Sequence, residues 1–340
     1  MAVPGLSEVA TMTLRNRMRK LADNMSRNNA VWSRLNSRGN VRPFGGGRTI
    51  VCELEYANNQ TYQRFSGYQT LNITPSTVFS AAEFPIRQVA VVVSISGLEQ
   101  LQNSGREQSI DLLQSRITNA EKTFKNGFSY DLYSDGSITG QIGGLDLLVS
   151  SSPSSGTIGG IDRGTWGFWR NHAFSALTDG GAAISPSNSY DYMLRVWQNT
   201  TRGADRVDLI LADNTSWGAY NRSLHGIQRI TNTNSDVARS GFATLEFMGA
   251  DVVMDGGYQG STTDGNNFGP SGSAVVGGAP AGNMFFLNTE FIYLRPHSDC
   301  NLDVLEPTRH SVNQDAMVRI IGWAGNLCLS NGFLQGRLTT

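Results

Sequence analysis

Lysine is nearly missing from this chain. Of its 27 basic residues only Lys20, Lys122 and Lys125 are lysine, and the rest are arginine. Charge of either sign is also scarce, at 16% of residues against about 25% in ordinary domains. Protein interfaces deplete lysine and glutamate and enrich arginine, whose weakly hydrated guanidinium makes fixed forks. Both shortages therefore point to a surface that faces other protein. Cys52, Cys300 and Cys328 are odd in number and far apart, with no Cys-x-x-Cys. They read as buried apolar residues rather than disulfides or zinc ligands. No apolar run reaches the roughly 18–20 residues of a membrane helix. The N-terminus lacks a charged-then-apolar signal pattern, so a cytoplasmic product with no membrane partner is expected.

Catalytic patterns are missing too. There is no Gly-Lys pair, so Gly45-Gly46-Gly47 is a flexible joint rather than a phosphate loop. No Gly-x-Ser-x-Gly elbow occurs. His172, His225, His297 and His310 show no ligand spacing. His297-Ser298-Asp299-Cys300 gathers polar types in a turn next to Pro296, a weak candidate for a nucleophile. Asp251 and Asp255 bracket a strand, but four residues of strand separate them by about 13 Å, too far to share an ion. Asp208 and Asp213 bracket another apolar run with no glycine fingerprint beside it. No catalytic residue, cofactor or metal is expected, and an enzyme of mixed α/β type is the disfavoured alternative.

What is present begins with asymmetric charge. Residues 1–48 hold nine basic and two acidic residues, and the remainder holds 18 basic and 26 acidic. Val9, Met12, Leu21 and Met25 fall on one side of a loose amphipathic pattern, with Arg15, Arg17, Arg19, Lys20 and Arg27 around them. This basic arm suits either packing on another protein or sequence-independent attraction to nucleic-acid phosphates.

The most informative stretch is Ser104 to Asp135. Ser104-Gly105-Arg106-Glu107 has capping-box spacing. Ile110, Leu113, Ile117, Ala120, Phe124 and Phe128 then recur at helical intervals until Ser134-Asp135-Gly136. One helix of about 27 residues, roughly 40 Å long, is predicted. Before it, Gln88 to Ser96 reads as a buried strand, and Gly97 to Asn103 as a polar turn.

Ile50 to Tyr56 alternates as a strand, Asn58-Asn59-Gln60 reads as a turn, and Thr61 to Ile73 returns with Tyr62, Phe65, Tyr68 and Leu71. Pro75 to Arg87 is read as a polar connection. From Gly140 onward, short strands and helices alternate. Strands are predicted at 145–149, 207–212, 244–247, 251–254, 284–288, 291–294, 316–323 and 326–329. Helices are predicted at 187–199 and after a cap at Asn214 or Thr215. Gly256 to Gly282 is a long Gly-rich loop. The class is α+β.

These segments, in order, resemble the tailed-bacteriophage major capsid protein family, the Hong Kong 97-like shell fold. The resemblance is carried by Ser94-Ile95-Ser96-Gly97-Leu98-Glu99-Gln100-Leu101-Gln102-Asn103-Ser104-Gly105 and the long helix ending Leu132-Tyr133-Ser134-Asp135-Gly136. Gly143-Gly144-Leu145-Asp146, the segment 208–214 and the segment 284–289 fit it as well. The resemblance implies an N-terminal arm at 1–48 and an extended hairpin loop at 49–80. It implies a peripheral domain with a spine helix at 81–140 and 286–325, and an axial domain at 141–285 and 326–340. It also implies self-assembly into pentamers and hexamers of a head shell around double-stranded DNA. Portal and separate scaffolding or decoration proteins are the implied partners, and the virion, assembled in the host cytoplasm, is the implied location. The loop residues Tyr62, Phe65, Tyr68 and Leu71 become contacts to the adjacent subunit. Some family members crosslink a loop lysine to an asparagine, but no lysine lies between Lys20 and Lys122. A non-covalent shell is therefore expected. An encapsulin-like nanocompartment shell is the alternative within the same fold.

Overall fold

A computed structural model describes residues 29–102, 112–224, 244–256, 258–259, 275–276, 278–310 and 315–340. The basic arm with Arg15, Arg17, Arg19, Lys20 and Arg27, the capping box at Ser104, His225 and most of the Gly-rich loop lie outside these residues.

The described chain opens with helix α1 (Ala30–Ser37), capped by Asn29, whose side chain accepts from the Trp32 N–H at 3.0 Å. Strand β1 (Thr49–Glu55) pairs antiparallel with β2 (Phe79–Pro85). The hairpin is thus present, but its return strand is the stretch read as a polar connection. Residues 61–73 are not a strand. Strand β3 (Arg87–Ser96) follows, then a short helix α2 (Gly97–Gln102) where a turn was expected. Helix α3 (Leu112–Leu132) is the long one. Its 21 described residues make a rod of about 31 Å. It stops where the sequence indicated: Ser134 N–H bonds Asp131 O at 3.1 Å, and Gly136 takes φ 73°.

Helix α4 (Leu145–Leu148) stands where a strand was predicted. Its turn is closed by the Leu148 N–H to Gly144 O at 3.0 Å and the Val149 N–H to Leu145 O at 2.7 Å, and Gly144 sits so close to the Asp131 and Ser134 backbone that no side chain would fit there. Two small strands, β4 (Thr157–Ile158) and β5 (Ile161–Asp162), form a turn under the hairpin. Next come β6 (His172–Ser175), α5 (Ser189–Asn199), β7 (Leu209–Ala212) and α6 (Asn214–Ser223). The cap of α6 is Asp213 rather than Asn214 or Thr215; its carboxylate accepts from the Thr215 and Ser216 N–H groups. Strands β8 (Thr244–Phe247) and β9 (Ala250–Met254) form the expected hairpin. A two-residue pair follows, β10 (Tyr258–Gln259) with β11 (Val275–Val276). Then come β12 (Asn283–Leu287), β13 (Ile292–His310), β14 (Ala316–Leu329) and β15 (Gly336–Thr339). Predicted strands at 316–323 and 326–329 are one continuous β14, and the strand expected at 291–294 is the start of a far longer β13.

Two sheets organise these elements. One has three strands in the order β13-β14-β3. Helix α3 lies on it through Ala120, with Ile117 beside it, against Val93 and Ile321. Further along, Phe128 meets Trp323 at 5.0 Å. The Ile117, Ala120, Phe124, Phe128 stripe therefore does what its spacing requires. β3 is not the buried strand predicted: only Val93 is buried, and Val92 on the other face is 58% exposed. The other sheet has six strands in the order β6-β15-β12-β7-β9-β8. Its middle strand β7 is apolar throughout because both faces are covered. Leu209 and Leu211 join the large core shared with α1 and α3, while Ile210 and Ala212 join the core under α5 and α6.

α1 ties the two sheets together. Arg34 forms a buried ion pair with Asp251, and Arg38 pairs with Asp208 at 3.0 Å. Asp208 also accepts from the Thr289 N–H and hydroxyl at 2.7 and 2.6 Å. Asp255 accepts from Tyr133 OH at 2.5 Å and from the Ala30 N–H. Asn29 reaches Ser129 of α3 at 2.9 Å. Of the strand-end acids that resembled a metal or nucleotide pattern, Asp208, Asp251 and Asp255 are instead held by α1, Tyr133 and Thr289, and Asp213 caps α6.

Candidate assembly surface

The hairpin β1–β2 continues beyond its last ladder pair as a finger. Within the ladder Thr49 faces Pro85 and Glu55 faces Phe79. Past that point, the Tyr56 N–H bonds Val78 O at 3.0 Å and Ser76 Oγ bonds the Asn59 side chain at 3.0 Å. Gln63 reaches Thr70 O at 3.4 Å, and Gln69 N–H bonds Ser66 O at 3.4 Å at the tip. Every rung keeps nearly the same register as the strands below, so residues 56–78 fold back on themselves symmetrically. The turn lies at 66–69, with Gly67 at φ 55°, and not at Asn58-Asn59-Gln60. From Tyr56 to the tip the reach is up to about 35 Å at 3.3 Å per residue.

This finger carries apolar side chains into water. Every residue from 62 to 75 is exposed. Tyr68 is fully exposed, Tyr62 is 83% and Phe65 63% exposed, and Leu71 and Ile73 accompany them. The structure thus brings Tyr62, Phe65, Tyr68 and Leu71 onto one projecting element, where they share no core of their own subunit. Sequence reasoning missed Ile73 and Phe79, whose exposure follows from the same geometry.

The root of the finger is fixed. Ile50, Leu54, Ala82 and Phe84 face inward into the main core with Ile158 and Leu327. The Glu83 N–H bonds Gly159 O at 2.9 Å, and Asn326 Nδ2 bonds Pro85 O at 2.8 Å. Tyr56 packs on Trp166 and Phe168 at 5.6 and 5.5 Å. Beside the root lies a cleft of about 300 Å³ lined by Leu54, Tyr56, Trp169, Arg202 and Phe333.

A second exposed apolar area lies at the free edge of the three-stranded sheet. Val92, Leu98 and Leu101 are 58%, 62% and 74% exposed. Glu99 and Arg116 brace this corner at 2.9 Å. The Arg116 guanidinium, with the Ser96 N–H, holds the Glu99 carboxyl at about 2, well below the usual carboxylate range.

The His297 ring accepts from the Asp299 N–H at 3.1 Å, and Ser298 Oγ bonds Asp299 rather than the ring. Burial pushes the His172 imidazole to a lower pKa, and its ring lies edge-on to Phe333 at 4.6 Å. Among the described residues no group of three or more His, Cys, Asp or Glu side chains could hold a metal ion, and no helix is long and apolar enough to cross a membrane.

The chain mixes helix and sheet, and its fold is similar to that of solved shell subunits of the Hong Kong 97-like kind. It is similar, over 96% of both chains, to a subunit in the capsid of cyanophage A-1(L), at 15% identity and a TM-score of 0.67. It is also similar to the capsid protein of a native GTA particle, at 13% identity and a TM-score of 0.56, covering 100% of this chain and 95% of that one. The SrpI encapsulin of Synechococcus elongatus PCC 7942 matches at 10% identity and a TM-score of 0.56, covering 98% and 95%. No family model matches the sequence. No curated protein matches it either.

Proposed function

We propose that this chain is a major capsid protein: a structural subunit that assembles with copies of itself into pentamers and hexamers of an icosahedral phage head around double-stranded DNA. The observation that carries this reading is the finger at 56–78, where Tyr62, Phe65 and Tyr68 stay exposed to water although the root is fixed. Removing each from water is worth on the order of 2 kcal/mol, and a neighbouring copy supplies the surface. The likeness in fold to phage shell subunits over nearly the whole chain supports the same reading.

In this reading the three-stranded sheet with α3 is the peripheral domain, roughly 81–140 and 286–325, and α3 is its spine. The six-stranded sheet is the axial domain, roughly 141–285 and 326–340. The finger is the extended loop that lies on the adjacent subunit through Tyr62, Phe65, Tyr68 and Leu71. Repeated head-to-tail contacts close into rings when the rotation permits, and many weak contacts make a stable shell. The arm is shorter than 1–48, because α1 packs inside its own subunit; the residues before it, with Arg15, Arg17, Arg19, Lys20 and Arg27, face either a neighbour or the packaged DNA. Portal, scaffolding and decoration proteins complete the virion, which assembles in the host cytoplasm.

A nanocompartment shell is the second reading, favoured by the encapsulin likeness. Electron microscopy of the purified protein tests the shared claim: closed shells support it, and discrete small oligomers overturn it. Nuclease-protected DNA inside the particles separates a phage head from a protein-filled compartment. Because the finger holds no lysine, boiled particles should run as monomer on a denaturing gel. A ladder of multimers would contradict the non-covalent shell.

A further inference from the structure

The outer edge of β1 is open. The hairpin sheet has only two strands, and the outer edge of β2 is taken where the Glu83 N–H bonds Gly159 O at 2.9 Å. On the other strand the Tyr56 N–H turns inward to Val78 O at 3.0 Å. Antiparallel pairing alternates, so the backbone N–H and C=O groups of Glu53 and Glu55 turn away from β2. They face a trough of about 720 Å³, walled by β1 from Glu53 onward on one side and by Phe291, Tyr293 and Ser330 on the other. The trough shares Leu54, Tyr56 and Arg202 with the cleft of about 300 Å³ beside the root, so the two are continuous. An aromatic cleft thus opens off a strand edge that has no strand beyond it, a combination that suits an extended segment of chain. The charged side chains in the trough are Glu53, Glu55 and Arg202. Arg202 pairs with Asp205 at 3.3 Å, whereas the two exposed glutamates make no ion pair among the described residues.

We propose that this trough receives the finger tip of a second copy, with Arg64 set against Glu53 and Glu55 and with Phe65 and Tyr68 in the aromatic cleft. The inference rests on the assembly reading and adds the place on the neighbour where the finger lands. Three observations single out this occupant. Arg64 is the one charged residue in 56–78, and its sign is opposite to that of the two glutamates. Phe65 and Tyr68 stand at the turn of the finger, exposed to water and of a size to fill an aromatic cleft. The finger of the same chain does not fill the site, because it starts there at Tyr56 and holds its tip out in water. Tip and trough are different surfaces of one chain, so each copy gives one contact and receives another. Contacts of this head-to-tail kind close into rings when the rotation permits. The charges at the rim set the register of the finger and exclude wrong placements, while the aromatic side chains supply the buried centre of the contact.

The test uses the full chain and reads particle formation by light scattering against concentration. Arg64→Glu should raise the concentration needed by at least about tenfold, because like charges then face each other. Glu53→Arg with Glu55→Arg should do the same, and all three changes together should restore assembly to within a few-fold of wild type. Thermal unfolding of every variant should match wild type, since the three side chains are exposed. In a second arm, a photo-crosslinking benzoylphenylalanine replaces Tyr68 in a mixture of heavy- and light-isotope chains. Mass spectrometry should then find the tip of one copy joined to 53–58, 291–293 or 330–333 of another. Crosslinks to any other segment, crosslinks confined to one chain, Arg64→Glu that assembles like wild type, or a folded triple variant no better than its parents would each overturn the landing site and leave the shell reading standing. Wild-type chain that forms no particle at all would defeat both.

Discussion

Tyr62, Phe65, Tyr68 and Leu71 hold the account together at the scale of single residues. Each keeps a large apolar surface in water on an element whose own contacts are polar rungs, such as Asn59 to Ser76 and Ser66 to Gln69. Replacing Phe65 and Tyr68 together by Ser should leave the subunit as stable as before, because exposed positions shift stability by no more than about 0.5 kcal/mol. The same pair should raise the concentration needed for assembly by at least about tenfold, since each side chain contributes on the order of 2 kcal/mol when covered. Light scattering against concentration, beside thermal unfolding of the subunit, reads both. Glu99 gives a second prediction. Its carboxyl titrates at about 2 when folded and near 4.5 otherwise. A depressed pKa stabilises the fold fully above about pH 4.5, and the contribution falls away as the pH drops toward 2. Glu99→Gln should therefore flatten the acid limb of the stability curve in that window and leave its neutral-pH shape unchanged. The Glu99 side chain is partly open to solvent, so the effect is modest.

Among the elements, α3 and the hairpin show what a sequence does and does not reveal. α3 was legible because Ile117, Ala120, Phe124 and Phe128 all pack inward from one face of the helix, so helical spacing and burial agree. The hairpin was misregistered for the opposite reason. Apolar residues at 62, 65, 68 and 71 invite a strand on a core, yet here they face water. The true return strand, β2, has Ala, Ser and Glu with a Pro at its end and so looks polar. Its inward residues are only Ala82 and Phe84. Likewise, nothing local indicates that Asp208, Asp251 and Asp255 meet Arg38, Arg34 and Tyr133; those partners lie more than a hundred residues away. Gly159 sits where the hairpin is mounted, at φ +57°, and an added Cβ there would meet Ala82 Cβ at 2.9 Å and the Phe84 ring at 3.2 Å. Gly159→Ala should lower stability by about 1–3 kcal/mol in chemical denaturation. It should also speed amide exchange in Thr49–Glu55 before the rest of the fold loosens.

For the whole molecule, scarcity of charge, scarcity of lysine and an exposed apolar finger are accounted for together by the proposed assembly, in which copies of the chain complete the subunit's surface. The two sheets are locked by α1 and the shared core, so the body is stiff while the finger projects. A stiff body with a projecting grip suits closure into a shell of fixed curvature, because the angle between neighbours is then set by geometry rather than by flexible contacts. The most direct test is a cryo-electron-microscopy reconstruction of particles assembled from the purified chain. The account predicts closed shells in which Tyr62, Phe65, Tyr68 and Leu71 rest on an adjacent subunit. A finger folded back onto its own subunit, or protein that stays as isolated small oligomers at every concentration, would contradict it.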